Sequence, residues 1–418
     1  MSLATVLAAT FVTLSLGYAL KAPCAAGNWN DGRQYRVLCY TDIVPLFGGE
    51  QLQGSRLPYL DACAPSAGRC DEYPVLTMYF MRTAAWLAEP IGSAYQDFFQ
   101  TNALLLAALA FLVSWALYRA AGERSLFFAL APTLLVYGFM NWDLLAVALA
   151  TLGTLAFFRD RDGWSGALLG LGAAAKAYPA LLVVPFAVDL LRRGRRRDAA
   201  LLVGTAVAAW LVVNLPFVLA ARASWGTFFR FNAERGADWD SLWFAACDRL
   251  GAHGGSCSWS AHTLNLASAV LFVVLVLVAW TLRWRRLRET PAWTLGFPLI
   301  ALFLLTNKVY SPQYGLWLLP WFALALPNLR LFLAFEAADV AVFVTRFSWF
   351  GRLAARSGDQ AFAGYSGLPI RAFEIAVVVR AVILLGCIVA WIVRDPPPLS
   401  IAEALPWRRE RAVVGPAP

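Results

Sequence analysis

The chain has 418 residues, 60% of them hydrophobic and 15% charged, with a formal net charge of +9. A soluble domain is nearer half apolar and a quarter charged, and here the excess comes as apolar blocks divided by short charged stretches. That pattern excludes an ordinary soluble domain and predicts an all-α polytopic membrane protein with one bilayer-embedded body. The basic residues are not interleaved with aromatic residues, so a nucleic-acid groove is excluded as well.

Residues 2–20 are apolar and precede Lys21-Ala22-Pro23-Cys24, with neither a basic start nor a small-x-small cleavage pattern. A retained first span is expected rather than a cleaved leader. A polar loop follows. Within it, Pro74–Ala88 is apolar but interrupted by Arg82 and closed by Glu89-Pro90. At about fifteen residues it is short for a span, and it predicts an interfacial helix with Pro74 in its first turn. Further apolar blocks lie at 97–118, 125–140, 142–158, 164–175, 180–191, 199–220, 263–282, 292–306, 314–327, 331–345 and 374–393. With the first span they predict about 12 transmembrane helices. Several are shorter than about twenty residues, a mark of helices broken beside a cavity.

Charge sets the orientation. If residue 1 is cytoplasmic and 74–90 does not cross, alternate connections hold Arg119/Arg124, Arg159/Arg161, Arg192–Arg197, Arg283–Arg288, Arg330 and Arg394–Arg411. The opposite short connections, at Asn141–Asp143, Lys176–Pro179 and Asn307–Tyr314, carry at most one basic residue each. Every short loop then obeys the positive-inside rule, and the net charge is a topology signal. The expected organisation is a transmembrane domain over 1–393, with outer loops at 21–96, 221–262 and 346–373. Residues 394–418, basic and rich in proline, read as a disordered cytoplasmic tail. Both termini face the cytoplasm, and the expected location is the cytoplasmic membrane.

Cys24, Cys39, Cys63, Cys70, Cys247 and Cys257 all fall outside by this assignment, and only Cys387 lies in a span. Such a distribution suits an oxidising compartment. Cys63–Cys70 and Cys247–Cys257 are the nearest-neighbour pairs, leaving Cys24–Cys39, although spacing alone does not fix connectivity.

The polar clusters Asp42, Asp71-Glu72-Tyr73, Asn141-Trp142-Asp143, Lys176-Ala177-Tyr178-Pro179 and Asn307–Tyr314 gather at outer helix ends. Carboxylate, lysine, amide and tyrosine over an oily bundle suit a charged headgroup on a lipid tail. Asp42 is the candidate general base, with Glu72 as the second choice; each could instead cap a short helix. Lys176 and Lys308 are candidate phosphate contacts, or snorkelling anchors. Asn141, Trp142, Asp143, Tyr178, Tyr310, Gln313 and Tyr314 complete the candidate donor-binding set, because aromatic rings offer a sugar an apolar face and a polar edge. Glu336 and Asp339, one turn apart within a block, either mark a polar path or pair with an arginine on a neighbouring helix. His253 and His262 are the only histidines, no zinc-spaced set exists, and there is neither a Walker lysine motif nor a GxSxG elbow.

The stretches Tyr40-Thr41-Asp42-Ile43, Glu72-Tyr73-Pro74-Val75-Leu76, Asn141-Trp142-Asp143, Lys176-Ala177-Tyr178-Pro179 and Asn307–Tyr314 resemble, in that order, the GT-C membrane glycosyltransferases, and most closely glycosyltransferase family 87. The resemblance covers most of the chain up to about residue 330. It implies a GT-C-like bundle whose large first extracytoplasmic loop carries the interfacial helix and an acidic base, which Asp42 matches. It further implies inverting transfer of a sugar, mannose or arabinofuranose, from a polyprenyl-phosphate donor to a glycolipid or glycan acceptor outside the membrane. No cofactor is implied, and a phosphate leaving group requires no metal. The alternative class is a transporter or flippase of lipid-linked sugars, for which charges would line a path through both leaflets.

Overall fold

A computed structural model describes residues 1–26, 31–64, 70–92, 94–250, 257–287 and 290–395. The expected tail beyond residue 395, His253 and Arg288 lie outside the described residues. Among the described residues the secondary structure is helical, without strands.

Helix α1 (Leu3–Ala25) is capped by Ser2, whose hydroxyl accepts the Thr5 N–H. It is tied to the bundle by the Thr10–Ser114 hydroxyl pair at 2.7 Å. The first loop then carries two short helices, α2 (Arg33–Arg36) and α3 (Ile43–Gly49). Helix α4 (Val75–Ala88) follows Pro74 and has 14 residues, too few to span. Its Arg82 does not face lipid. The guanidinium is buried and donates to the Leu52 carbonyl at 2.6 Å and to that of Gly54, so this charge fastens the loop above it.

Helix α5 (Tyr95–Ala121) is continuous, but block 125–140 is not one continuous helix. It divides into α6 (Leu126–Ala129) and α7 (Pro132–Tyr137), because Pro132 has no N–H to carry the helical ladder across the junction. Helices α8 (Asp143–Phe158), α9 (Asp162–Ala175), α10 (Pro179–Arg192) and α11 (Arg196–Ala220) then run back and forth. Gly166 and Gly170 let α9 lie directly on α11, where a Cβ would collide with the Leu202 and Ala206 carbonyls.

The expected loop 221–262 is itself largely helical, with α12 (Arg222–Glu234) and α13 (Leu242–Leu250). Helices α14 (Ala261–Arg286) and α15 (Gly296–Thr306) follow. Block 314–327 is again broken, into a 3-10 turn over Pro312–Trp317 and the short α16 (Leu319–Leu324). Helix α17 (Leu329–Arg356) packs against α18 (Ile370–Val393). The segment expected as an outer loop from 346 is thus helical as far as Arg356. Phe343, Phe347 and Phe350 recur at helical spacing and bury one face against the first loop, which keeps the helix running.

Helices α1, α5 with its continuation to Ala129, α11, α14 and α18 are long and apolar enough to cross a membrane. The chain is a multi-pass membrane protein. The basic connections pair among themselves: Arg195 meets Asp160 and Asp162, Arg192 donates to the Thr290 carbonyl, and the N-terminal amine meets Glu123. Disulfides join Cys24 to Cys39, Cys63 to Cys70 and Cys247 to Cys257, and Cys387 is a buried free thiol.

Candidate active site

Asp42 stands at the start of α3 but its side chain makes no cap there. Its backbone N–H donates to the Met140 carbonyl at 2.8 Å, and the Thr41 hydroxyl donates to the Phe139 carbonyl at 2.9 Å. The loop is thereby pinned to the turn between α7 and α8. With capping excluded, the carboxylate is left to the cavity side, where it accepts the Tyr40 hydroxyl at 2.9 Å and the Asn141 amide at 2.8 Å. The same Asn141 amide nitrogen also donates to the Tyr73 hydroxyl at 2.8 Å. Behind Tyr40, the buried Lys21 amine donates to the Tyr40 carbonyl at 2.7 Å, and the Cys24–Cys39 disulfide holds the preceding residue.

Burial pushes the Asp42 carboxyl above the ordinary carboxylate range. The hydrogen bonds from Asn141 and Tyr40, then the charges of Arg346 and Lys176, pull it back only part of the way. A carboxylate with that balance is a stronger base than a solvated one.

Lys176 follows α9 in extended backbone. Its amine pairs with Asp143 at 3.4 Å and lies over the Tyr73 and Tyr314 rings at 5.3 and 5.1 Å. Burial alone would lower its pKa, but Asp143 and then Tyr314 outweigh it and the net shift is upward, so the lysine stays charged. Lys308 differs. Its amine donates to the Ala233 carbonyl at 3.2 Å and to that of Arg235, at the end of α12. Burial, then the charge of Arg235, lower its pKa.

These groups face one cavity of about 760 Å³, whose wall includes Asp42, Glu72, Tyr73, Lys176, Lys308 and Arg346. Tyr178, Gln313 and Tyr314 also line it. An apolar groove of about 380 Å³ runs from it between α4, α9, α10, α11 and α12. The two share Pro74, Ala177, Phe228 and Phe229, so a polar chamber opens sideways into an oily channel.

Four residues expected to touch the donor stand behind the wall instead. Asn141 spends its amide on Asp42 and Tyr73. Trp142 is buried, its indole N–H donates to the Asn102 side-chain oxygen Oδ1 at 2.7 Å, and it packs edge-on against Tyr73. Asp143 is buried between Lys176 and the Trp317 indole, which donates to it at 2.7 Å. Tyr310 lies against the Arg380 guanidinium, 3.7 Å from its ring centre. They position the lining residues: Tyr178 and Tyr314 stack on Trp317 at 4.3 and 4.0 Å.

Glu336 and Asp339 form a closed structural cluster. Asp339 pairs with Arg380 at 3.0 Å and accepts the Thr133 hydroxyl at 3.1 Å, while Glu336 accepts the Thr133 N–H at 2.7 Å. Arg235, Asn232, Asn265 and Arg346 line the cavity without having been singled out from sequence. The phenylalanine period through 343–350 is the signal that would have placed Arg346 on a helix.

Comparison with known families gives a match to the model of glycosyltransferase family 87 over residues 72–312, more than half of the chain. The chain belongs to glycosyltransferase family 87. It is a membrane glycosyltransferase, and the matched segment holds every cavity-lining residue named above except Asp42, Gln313, Tyr314 and Arg346. Solved structures similar to it include two membrane proteins. ArnT from Cupriavidus metallidurans, bound to undecaprenyl phosphate, aligns with a TM-score of 0.46 at 15% identity, over 94% of this chain and 77% of that one. The oligosaccharyltransferase of Archaeoglobus fulgidus in the apo form aligns with a TM-score of 0.41 at 11% identity, over 99% of this chain and 60% of that one. No curated protein matches the chain.

Proposed function

We propose that this protein is an inverting glycosyltransferase that moves a sugar, mannose or arabinofuranose, from a polyprenyl phosphate to a glycolipid or glycan. The observation that carries the reading is the junction of the polar cavity with the apolar groove, next to a hydrogen-bonded, desolvated carboxylate. A polyprenyl tail suits the groove, since its shared wall of Pro74, Ala177, Phe228 and Phe229 offers no charge. The attached phosphate would then stop at the groove mouth between Lys176 and Lys308, with the sugar beside Asp42.

The acceptor hydroxyl oxygen attacks the anomeric carbon from the face opposite the phosphate. The bond from that carbon to the phosphate oxygen breaks, and its electron pair leaves with the polyprenyl phosphate. Asp42 takes the hydroxyl proton. Lys176 and Lys308 stabilise the charge growing on the leaving phosphate in a cavity of low dielectric. Tyr40 and Asn141 hold Asp42, and Glu72 stands on the same wall as the second carboxylate. The reading places about 12 passes in the bilayer, both termini in the cytoplasm and the cavity on the outer face, and the uneven distribution of basic residues among the connections supports it.

The test is transfer by the purified protein from radiolabelled polyprenyl-phosphate mannose and polyprenyl-phosphate arabinofuranose. Labelled glycoside together with free polyprenyl phosphate supports the reading. Movement of intact lipid-linked sugar across vesicles without transfer contradicts it.

A further inference from the structure

A second cleft lies where α10, α14 and α18 end, on the side of the basic connections, and Arg192, Trp280, Arg283, Trp284, Thr290 and Trp391 line it. Arg283, Thr290 and Trp391 are each more than nine-tenths buried. Among the described residues, the Arg283 Nε, the Thr290 hydroxyl and the Trp391 indole nitrogen have no hydrogen-bond partner. All three are donors. Leaving a buried donor unmade is costly, so three in the residues of one cleft call for a group rich in acceptors.

The frame around these donors is already fixed. The Arg283 Nη1 donates to the Trp391, Ile392 and Arg394 carbonyls, which closes the end of α18, and the guanidinium lies 5.0 Å from the Trp391 ring centre. Arg192 donates to the Thr290 carbonyl at 2.8 Å and lies 4.3 Å from the Trp284 ring centre. Charge favours an anion. Arg285 and Arg286 are exposed at the same end of α14. The neighbouring carboxylates among the described residues are Asp189, which pairs with Arg193 and accepts the Ala292 N–H at 2.7 Å, and Asp395, which acts on Arg283.

Size and surroundings name the source of that anion. The cleft encloses about 20 Å³, little more than one oxygen-sized group needs. A soluble ligand is not enclosed by such a space, whereas a lipid phosphate can insert an oxygen and keep its bulk outside. Leu277 and Val278 on α14, and Val389 and Val393 on α18, are exposed, and both helices are long and apolar enough to cross a membrane. Tryptophan beside arginine is the composition of the headgroup level.

We infer that this cleft binds an anionic phospholipid. One phosphate oxygen enters among the Arg283, Thr290 and Trp391 donors, the glycerol lies against Trp280 and Trp284, and the acyl chains run along α14 and α18. The arginines disfavour a zwitterionic lipid, whose cationic end would lie among them. The site shares no lining residue with the cavity that holds Asp42, and it does not rest on the transfer reading.

The experiment is native mass spectrometry of the purified, delipidated protein, titrated with dioleoyl phosphatidylglycerol, dioleoyl phosphatidylcholine or inorganic phosphate. One phosphatidylglycerol is expected to bind at least about tenfold more tightly than phosphatidylcholine. Thr290→Val keeps the side-chain shape and removes one donor, and Trp391→Phe removes another; each is expected to weaken phosphatidylglycerol binding about tenfold. Because the Thr290 hydroxyl has no partner within the protein, lipid-free Thr290→Val is expected to melt no lower than the parent. Equal binding of the two lipids, or full phosphatidylglycerol affinity in either variant, overturns the inference. Inorganic phosphate binding as tightly as phosphatidylglycerol also overturns it, because the ligand would then be a soluble anion. Lipid-free Thr290→Val melting well below the parent overturns it as well, since the hydroxyl would then serve the fold.

Discussion

Tyr40→Phe removes one hydroxyl and leaves the ring between Tyr35 and Phe347, with which it stacks at 5.9 and 4.6 Å. The lost group donates to Asp42 at 2.9 Å. A hydrogen bond to a charged group is worth about 1.5–3 kcal/mol net. Asp42 keeps a part-exposed edge in the cavity, so the lower end applies, about 1.5 kcal/mol or roughly one pKa unit. The direction follows from the environment. Burial already raises this carboxyl, and the Tyr40 bond is one of the influences holding it down. Without that bond the pKa rises further, and the base is protonated at a pH where it was previously free. The assay is kcat/KM for transfer against pH, which reports the ionisation of the free enzyme. The acid limb is expected to move upward by about one unit, with the high-pH plateau changed little. A lowered plateau with an unmoved acid limb would refute the reasoning, because Tyr40 would then act on something other than the ionisation of Asp42.

The other expectations follow from neighbouring contacts. Opening the Cys24–Cys39 bridge by the double serine variant removes a crosslink of sequence separation 15 beside Tyr40; a stability loss of about 3 kcal/mol is expected, read as a shift in the denaturation midpoint, with transfer falling as well. Ala173→Trp fills the apolar groove, and is expected to raise KM for long-chain donors about tenfold or more while sparing a short-chain analogue, as kinetics with the two donors will show. Arg380→Met leaves Asp339 buried and unpaired; a loss of about 3–5 kcal/mol is expected in unfolding measurements. Arg380→Met/Asp339→Asn should recover much of that stability in the same measurements, because no buried charge is then left unpaired.

Much of the site was legible because polar residues in an oily chain have few places to go. Asp42, Lys176, Lys308 and Tyr314 share a cavity that charge placement had already assigned to one side. Sequence could not separate lining residues from those behind them. Asn141-Trp142-Asp143 is a tight turn whose side chains point inward to hold Asp42, Asn102 and Lys176, and that depends on packing across α5, α8 and the loop before α4. Arg346 was missed for a different reason. The apolar block ended near residue 345 by hydropathy, whereas the helix continued on a one-sided aromatic face that a hydropathy window averages away. The broken blocks at 125–140 and 314–327 carried their signal in Pro132, Pro312 and Pro320, which interrupt helices regardless of hydropathy.

The claim that Asp42 is the base is tested most directly by Asp42→Asn, assayed for sugar transfer from a polyprenyl phosphate by the purified protein. Asparagine keeps the shape and can still meet Tyr40 and Asn141, but cannot take a proton. A fall in kcat of about 10²–10⁴-fold is expected, with donor binding retained. Transfer at the unmodified rate would contradict the account.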